Sequence, residues 1–393
     1  MVKIFFMLSL LFVFSCEDPV SSPEPEISKI YVCDQGSDRV VVLDATTDNL
    51  SQITAVDIDF SDTDMGMMEV PHFVAIDELN GYWFVTAFQS GYVGMYDLDE
   101  DTLISKIHLG SGSTPALLAV DKNNEMLYVS QMMDMGMMEG GNDELYSLNY
   151  SSGELIDAGT INLIASESIL EFPNPHAISI DFNTVRGTSL VTASHTADWF
   201  SMTRLDNATI TPSAYPFNEG ESAVIELNQL FPLDATQKDN FMFFSCRGSM
   251  TADINGQVQS WGLSNFNQQS VYEFELTSKP WHIVSSPTQS EVFVVLSGDS
   301  ETPGSAGLSC LSYNENGELS EKWTTTDASF ETLHGITVSS DGSRVYVSSR
   351  GNGSIYVFDA LSGSLLNTID GVGMMMDGMG MDMGSLSGIA ITQ

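Results

Sequence analysis

One strand-like segment keeps returning along this chain, and that recurrence restricts the fold more than any other feature. Its copies begin at PHFVAID (71–77), PALLAVD (115–121), PHAISID (175–181), WHIVSSP (281–287), HGITVSS (334–340) and SGIAIT (387–392). Marked at His72, Ala116, His176, His282, His334 and Ser387, the successive gaps are 44, 60, 106, 52 and 53 residues. The gap of 106 is twice 53, so one divergent copy lies at roughly residues 228–278. Each unit reads as an apolar alternating strand, an acidic turn, a second strand, a polar loop and a third strand often ending in Asp; Leu333 to Ile369 is the clearest example. With almost no helical periodicity beyond residue 28, this is an all-β repeat pattern. The N-terminal KIYVCDQGSDRVVVLDATT starts at what would be a second strand, and the C-terminal SGIAIT is an isolated first strand. Together they complete one more unit. The chain is therefore expected to be a seven-bladed β-propeller over residues 29–393, closed by pairing its N- and C-terminal strands, which protects the sheet edges and makes the body one domain.

Two stretches carry a family resemblance. Tyr31-Val32 followed by Val40-Val41-Val42-Leu43-Asp44, and Tyr346-Val347 followed by Ile355-Tyr356-Val357-Phe358-Asp359, resemble the YVTN-type β-propeller repeat of secreted bacterial proteins. The resemblance implies the fold over nearly all of the chain after residue 28. It says little about function, because propellers host binders, scaffolds and enzymes alike.

Residues 1–15 read as a signal peptide, with Lys3 followed by an apolar stretch from Ile4 to Phe14 that is too short to span a bilayer. Val13-Phe14-Ser15-Cys16 resembles a bacterial lipobox, with Phe14 bulkier than usual. The resemblance implies cleavage before Cys16 and lipidation of its thiol, a simple cleaved signal being the alternative. Residues 16–28, acidic and carrying Pro19, Pro23 and Pro25, form an extended tether. The expected location is the bacterial cell envelope, as an outer-membrane lipoprotein facing periplasm or surface. Contact with the membrane is through the anchor only. With 13 Lys+Arg against 53 Asp+Glu, the formal charge of −40 repels phosphate backbones and anionic lipid, which excludes nucleic acid and fits a soluble monomeric body.

In a propeller the first strand of each blade starts at one mouth of the channel, and the loops between second and third strands lie on that same face. His72, His176, His282 and His334 mark first strands, and His195 falls in such a loop, so five of six histidines are expected at one mouth. Imidazole binds zinc and copper, and a ring of inward-facing histidines is how nitrous oxide reductase, also a propeller, holds copper. The competing reading is structural: Pro-His at a strand start is a habit of the repeat.

Fourteen of 21 methionines lie in three runs. They are Met65, Met67 and Met68; Met132, Met133, Met135, Met137 and Met138; and Met374, Met375, Met376, Met379, Met381 and Met383. All three runs map to loops on the face that carries the histidines, alternating with Gly and Asp, which is unlike core methionine. Thioether sulfur is soft and favours Cu(I), and the runs resemble methionine-rich loops of exported copper-handling proteins. Low-complexity loops, a sacrificial oxidation surface or an adaptable patch for a partner protein are the alternatives.

Beyond Cys16, three cysteines remain, Cys33, Cys246 and Cys310, placed on strands too far apart to bridge. No haem-attachment, nucleophile-elbow, P-loop, dinucleotide or zinc-protease motif is present. The sequence thus supports a lipid-anchored envelope propeller binding copper, not primarily an enzyme. A scaffold for an envelope protein or polymer, and a metal-dependent oxidoreductase on the histidine rim, are the other two readings.

Overall fold

The structure, a computed structural model, describes residues 28–60, 68–131, 144–162, 174–183, 187–194, 198–205, 222–227, 230–373 and 385–392. Short runs rich in Val, Ile, Tyr and Phe, punctuated by Gly, Asn and Asp turns, pair into seven antiparallel four-stranded sheets. The expected seven-bladed propeller is what forms. The inner strands of blades two to seven are Pro71–Asp77, Pro115–Asp121, Pro175–Asn183, Pro232–Lys238, Pro280–Ser285 and Leu333–Val338. Blade one closes the ring: its inner strand is the C-terminal Leu386–Ile391, paired antiparallel with Lys29–Asp34. The divergent copy is blade five, from Pro232 to Glu273. Among the described residues no helix is long and apolar enough to cross a membrane.

Burial follows from the pattern. Second and third strands are apolar on both faces because each is sandwiched between neighbouring blades, as in RVVVLD of blade one and FMFFSC of blade five. The fourth strands alternate, for example LSEKWTTT in blade six, since only one face is covered. The core is accordingly divided into seven apolar clusters, one at each junction between blades. Phenol-to-carboxylate bonds stitch some junctions: Tyr150 donates to Asp77 at 2.6 Å and Tyr313 to Asp239 at 2.8 Å. At the channel the inner strands of blades one and two pack closely: a Cβ on Gly388 would lie 2.7 Å from Phe73 Cα and 2.8 Å from the His72 carbonyl oxygen. Only glycine permits that approach.

A backbone device repeats at the mouth. The residue before the inner strand is left-handed in five blades, at Val70, Asn174, Phe231, Lys279 and Thr332, with φ from 45° to 54°. This conformation is unfavourable for non-glycine residues, most of all for β-branched Val70 and Thr332, and is held by its surroundings. Asp38 accepts the Val70 N–H at 2.8 Å, and Asp198 accepts the Phe231 N–H at 2.6 Å. The carbonyls of Val70, Phe231, Lys279 and Thr332 in turn take the N–H of Phe88, Arg247, Ser297 and Arg350, each the first residue past its second strand. Those four side chains therefore stand at equivalent places around the mouth.

Candidate functional site

The hydrogen-bond register defines the rim. Pro71, Pro115, Pro175, Pro232, Pro280, Leu333 and Leu386 each pair with the last residue of the neighbouring second strand. One position further in, from blade one round to blade seven, stand Ser387, His72, Ala116, His176, Leu233, Trp281 and His334. Small Ser387 and Ala116 make room between the imidazoles: the rings of His334 and His72 are 5.8 Å apart, and those of His72 and His176 are 6.1 Å apart. Counting from strand ends puts His282 in this ring, but the register puts Trp281 there and His282 one residue deeper. Its equivalent in blade five is Asp234.

The three rim histidines and the deeper His282 are all buried, and they pack on one another across the channel. The His282 ring is 4.8 Å from His334 and 6.2 Å from His176, and that of Trp281 is 5.7 Å from His334. Three of them have assigned partners: Gln35 Nε2 lies 3.0 Å from His72 Nδ1, His176 Nδ1 donates to the Leu233 carbonyl at 2.8 Å, and His282 Nδ1 donates to Asp234 Oδ2 at 2.9 Å. For His72, His176 and His334, burial opposes the imidazolium form, and nearby imidazoles add to that. His176 is held down to about 4, while His72 and His334, which also face the Arg350 guanidinium, lie well below the usual histidine range. These three rings are neutral at pH 7.

The metal reading does not survive this geometry. Among the described residues no group of three or more His, Cys, Asp or Glu side chains is arranged to hold a metal ion. The imidazoles pack largely edge to face, at 67°, 80° and 62° for three of the four neighbouring pairs, instead of converging on a point. Of the remaining candidates only Met68 lies within the described residues, partly buried beside Glu69. His195, Met65, Met67, Met132, Met133, Met135, Met137, Met138, Met374, Met375, Met376, Met379, Met381, Met383 and the lipidation candidate Cys16 lie outside them. Cys33, Cys246 and Cys310 are free and buried, and burial pushes their thiols up, so they are not thiolate donors.

Above the imidazoles, over blades five to seven, the mouth opens into a cavity of about 520 Å³, a size suited to a small organic ligand. Phe231, Arg247, Lys279, Trp281, Ser297 and Thr332 line it. Arg247 lies against the Phe231 ring, 5.3 Å from its centroid, and its guanidinium has no hydrogen bond or ion pair among the described residues. Lys279 is loosely tied to Asp299 at 3.6 Å. Two cations facing one cavity in a chain with a fourfold acidic excess make this an anion-attracting spot on an otherwise repelling surface. Motif searching misses these residues because the position is defined by blade register. A signal was nonetheless present: Arg-Gly follows the second strand in blades five and seven, as Arg247-Gly248 and Arg350-Gly351.

Comparison with known proteins adds the family. The model of the lactonase family, described as a seven-bladed β-propeller, matches residues 82–374. No curated protein matches the sequence. Among solved structures, the Pseudomonas aeruginosa periplasmic gluconolactonase PpgL superposes with a TM-score of 0.66 at 14% identity, covering 94% of this chain and 99% of that one. A Bacteroides fragilis protein assigned as a candidate 6-phosphogluconolactonase gives 0.62 at 11%, covering 96% and 100%. Hydrazine synthase of Kuenenia stuttgartiensis gives 0.59 at 11%, covering 79% and 90%, so likeness at this level speaks for the fold alone. The family match overturns the expectation of a copper-binding protein that is not primarily an enzyme. This chain belongs to the seven-bladed β-propeller lactonase family.

Proposed function

We propose that the protein hydrolyses a lactone in the mouth cavity over blades five to seven. Family membership supports the reaction class, and the P. aeruginosa and B. fragilis neighbours suggest an aldonolactone as the substrate. The observation that carries the reading to these residues is Arg247. Among the described residues its donors have no hydrogen-bond or ion-pair partner, and the residue lines the cavity. Hydrolysis of a cyclic ester builds negative charge on the carbonyl oxygen, and a fixed guanidinium beside that oxygen stabilises it more than the ground state. Lys279 adds charge of the same sign, and Trp281 offers an apolar face for the sugar ring.

The experiment is direct. Purified mature chain is incubated with glucono-1,5-lactone and with its 6-phosphate, and acid release is followed at constant pH. Catalysed hydrolysis is expected for at least one of them, with Arg247→Ala lowering kcat/KM by about 10²–10³ and Arg247→Lys by less. No acceleration of either over spontaneous hydrolysis, in protein shown to be folded, refutes the reading.

The envelope location is a separate proposal. The strand Lys29–Asp34 reaches the mouth at its C-terminal end, where Gln35 meets His72, so the chain enters from the opposite face. Its anchor would be Cys16, which lies outside the described residues.

A further inference from the structure

Beneath the cavity floor lies a second polar arrangement. Asp234 and His282 occupy equivalent positions in the inner strands of adjacent blades, one residue inside the rim, and this brings them together at 2.9 Å. The carboxylate is fixed by two further bonds, from Ile283 N–H at 3.1 Å and Ala235 N–H at 2.8 Å. In the neutral imidazole, an acceptor so placed sets the proton on Nδ1 and leaves a lone pair on Nε2. That Nε2 is buried and has no hydrogen-bond partner among the described residues. Two other rings of the cluster share the condition: His334 at Nδ1 and His72 at Nε2. These rings are in contact, with centroids 4.8 Å apart for His282 and His334 and 5.8 Å apart for His334 and His72. Three unpartnered nitrogens in one buried cluster, on side chains 1–2% exposed, mark a place where something polar binds. Trp281, which lines the cavity, stands against His334 and so separates this place from the cavity by a single side chain.

We propose that the imidazole cluster holds buried water and that His282, positioned by Asp234, is the general base that activates it. The catalytic half of this proposal rests on the lactone reading; the water-binding half does not. In the step, with the Trp281 side chain turned aside so that the buried water meets a lactone in the cavity, a proton of the water passes to His282 Nε2 as its oxygen bonds to the lactone carbonyl carbon. Collapse of the tetrahedral intermediate breaks the ring C–O bond, and the departing oxygen takes the proton back from the imidazolium. The product is the open hydroxy acid, with water consumed and nothing oxidised or reduced. His282 would touch the reacting water; Asp234 acts through His282 and is a positioning residue.

Nitrogen-15 correlation spectra of the imidazoles in the intact wild-type chain test the first half without any substrate. The expected result is His282 protonated at Nδ1 and bare at Nε2, with cross-relaxation from cluster ring protons to long-lived water. A proton on Nε2, or a cluster free of water, overturns the proposal. For the second half, His282→Gln is expected to lower kcat by about 10²–10⁴, and Asp234→Asn by less, with KM within twofold and an altered pH profile in both. Asp234→Glu should recover part of the loss. His282→Gln retaining kcat within threefold, in protein that melts near wild type, removes the base role. Should a substituted chain fail to fold, the wild-type spectra alone still decide the tautomer on which the base role depends. If the wild type hydrolyses no lactone, the lactone reading falls while the spectra still decide the water site.

Discussion

Acid should weaken this protein through its buried imidazoles, and His176 sets the clearest measure. It is 3% exposed, its Nδ1 proton is committed to the Leu233 carbonyl, and burial brings it from the ordinary 6.5 down to about 4. A histidine depressed on folding binds its proton more readily in the unfolded chain. Its stabilising contribution is therefore intact above 6.5 and is lost as pH falls toward 4. At about 1.4 kcal/mol per pH unit the gap is worth at most about 3 kcal/mol, of which roughly 2 kcal/mol is gone by pH 4.5. His72 and His334 act in the same direction, whereas relief of the −40 charge acts in the opposite one, so the wild-type curve alone does not isolate His176. The informative quantity is the difference between wild type and His176→Phe in urea unfolding at pH 7 and pH 4.5. Losing the bond to Leu233 costs the same at both values, so the wild type's advantage should shrink by roughly 2 kcal/mol at the lower pH. A difference that does not change with pH would refute the picture of a neutral, sealed imidazole.

Two further outcomes follow from packing. Gly388→Ala drives a methyl group into the Phe73 backbone and the His72 carbonyl and should cost about 1–3 kcal/mol, seen as a lower Tm, whereas alanine at the open, left-handed Gly153 is strained only by its backbone. Cys33, Cys246 and Cys310 should resist a thiol reagent in the native protein and react together in denaturant without prior reduction, since none is in a disulfide; reaction of any in the folded state would contradict their burial.

Much of the fold was legible in the sequence. Spacings near 53 residues, the isolated C-terminal strand and the incomplete N-terminal unit sufficed for seven blades and for the way the ring closes, because each blade must bury both faces against similar neighbours. His72, His176, His282 and His334 do meet in one cluster, since strand order decides which end of a strand faces the mouth, while His195 lies outside the described residues.

What the sequence could not decide is what those side chains do once there. A one-residue difference between counted and hydrogen-bonded register exchanges Trp281 for His282 at the rim, sends His282 down to Asp234, and turns a supposed metal ring into a packed cluster. Arg247 looked like any charged loop residue. Its significance arises only when the ring closure of blades five to seven sets it over a cavity, beside Lys279 and with no ion-pair partner among the described residues. Periodicity is a local property and survives in one dimension; the approach of two imidazoles, or the isolation of one guanidinium, depends on distances between blades that only the closed ring sets.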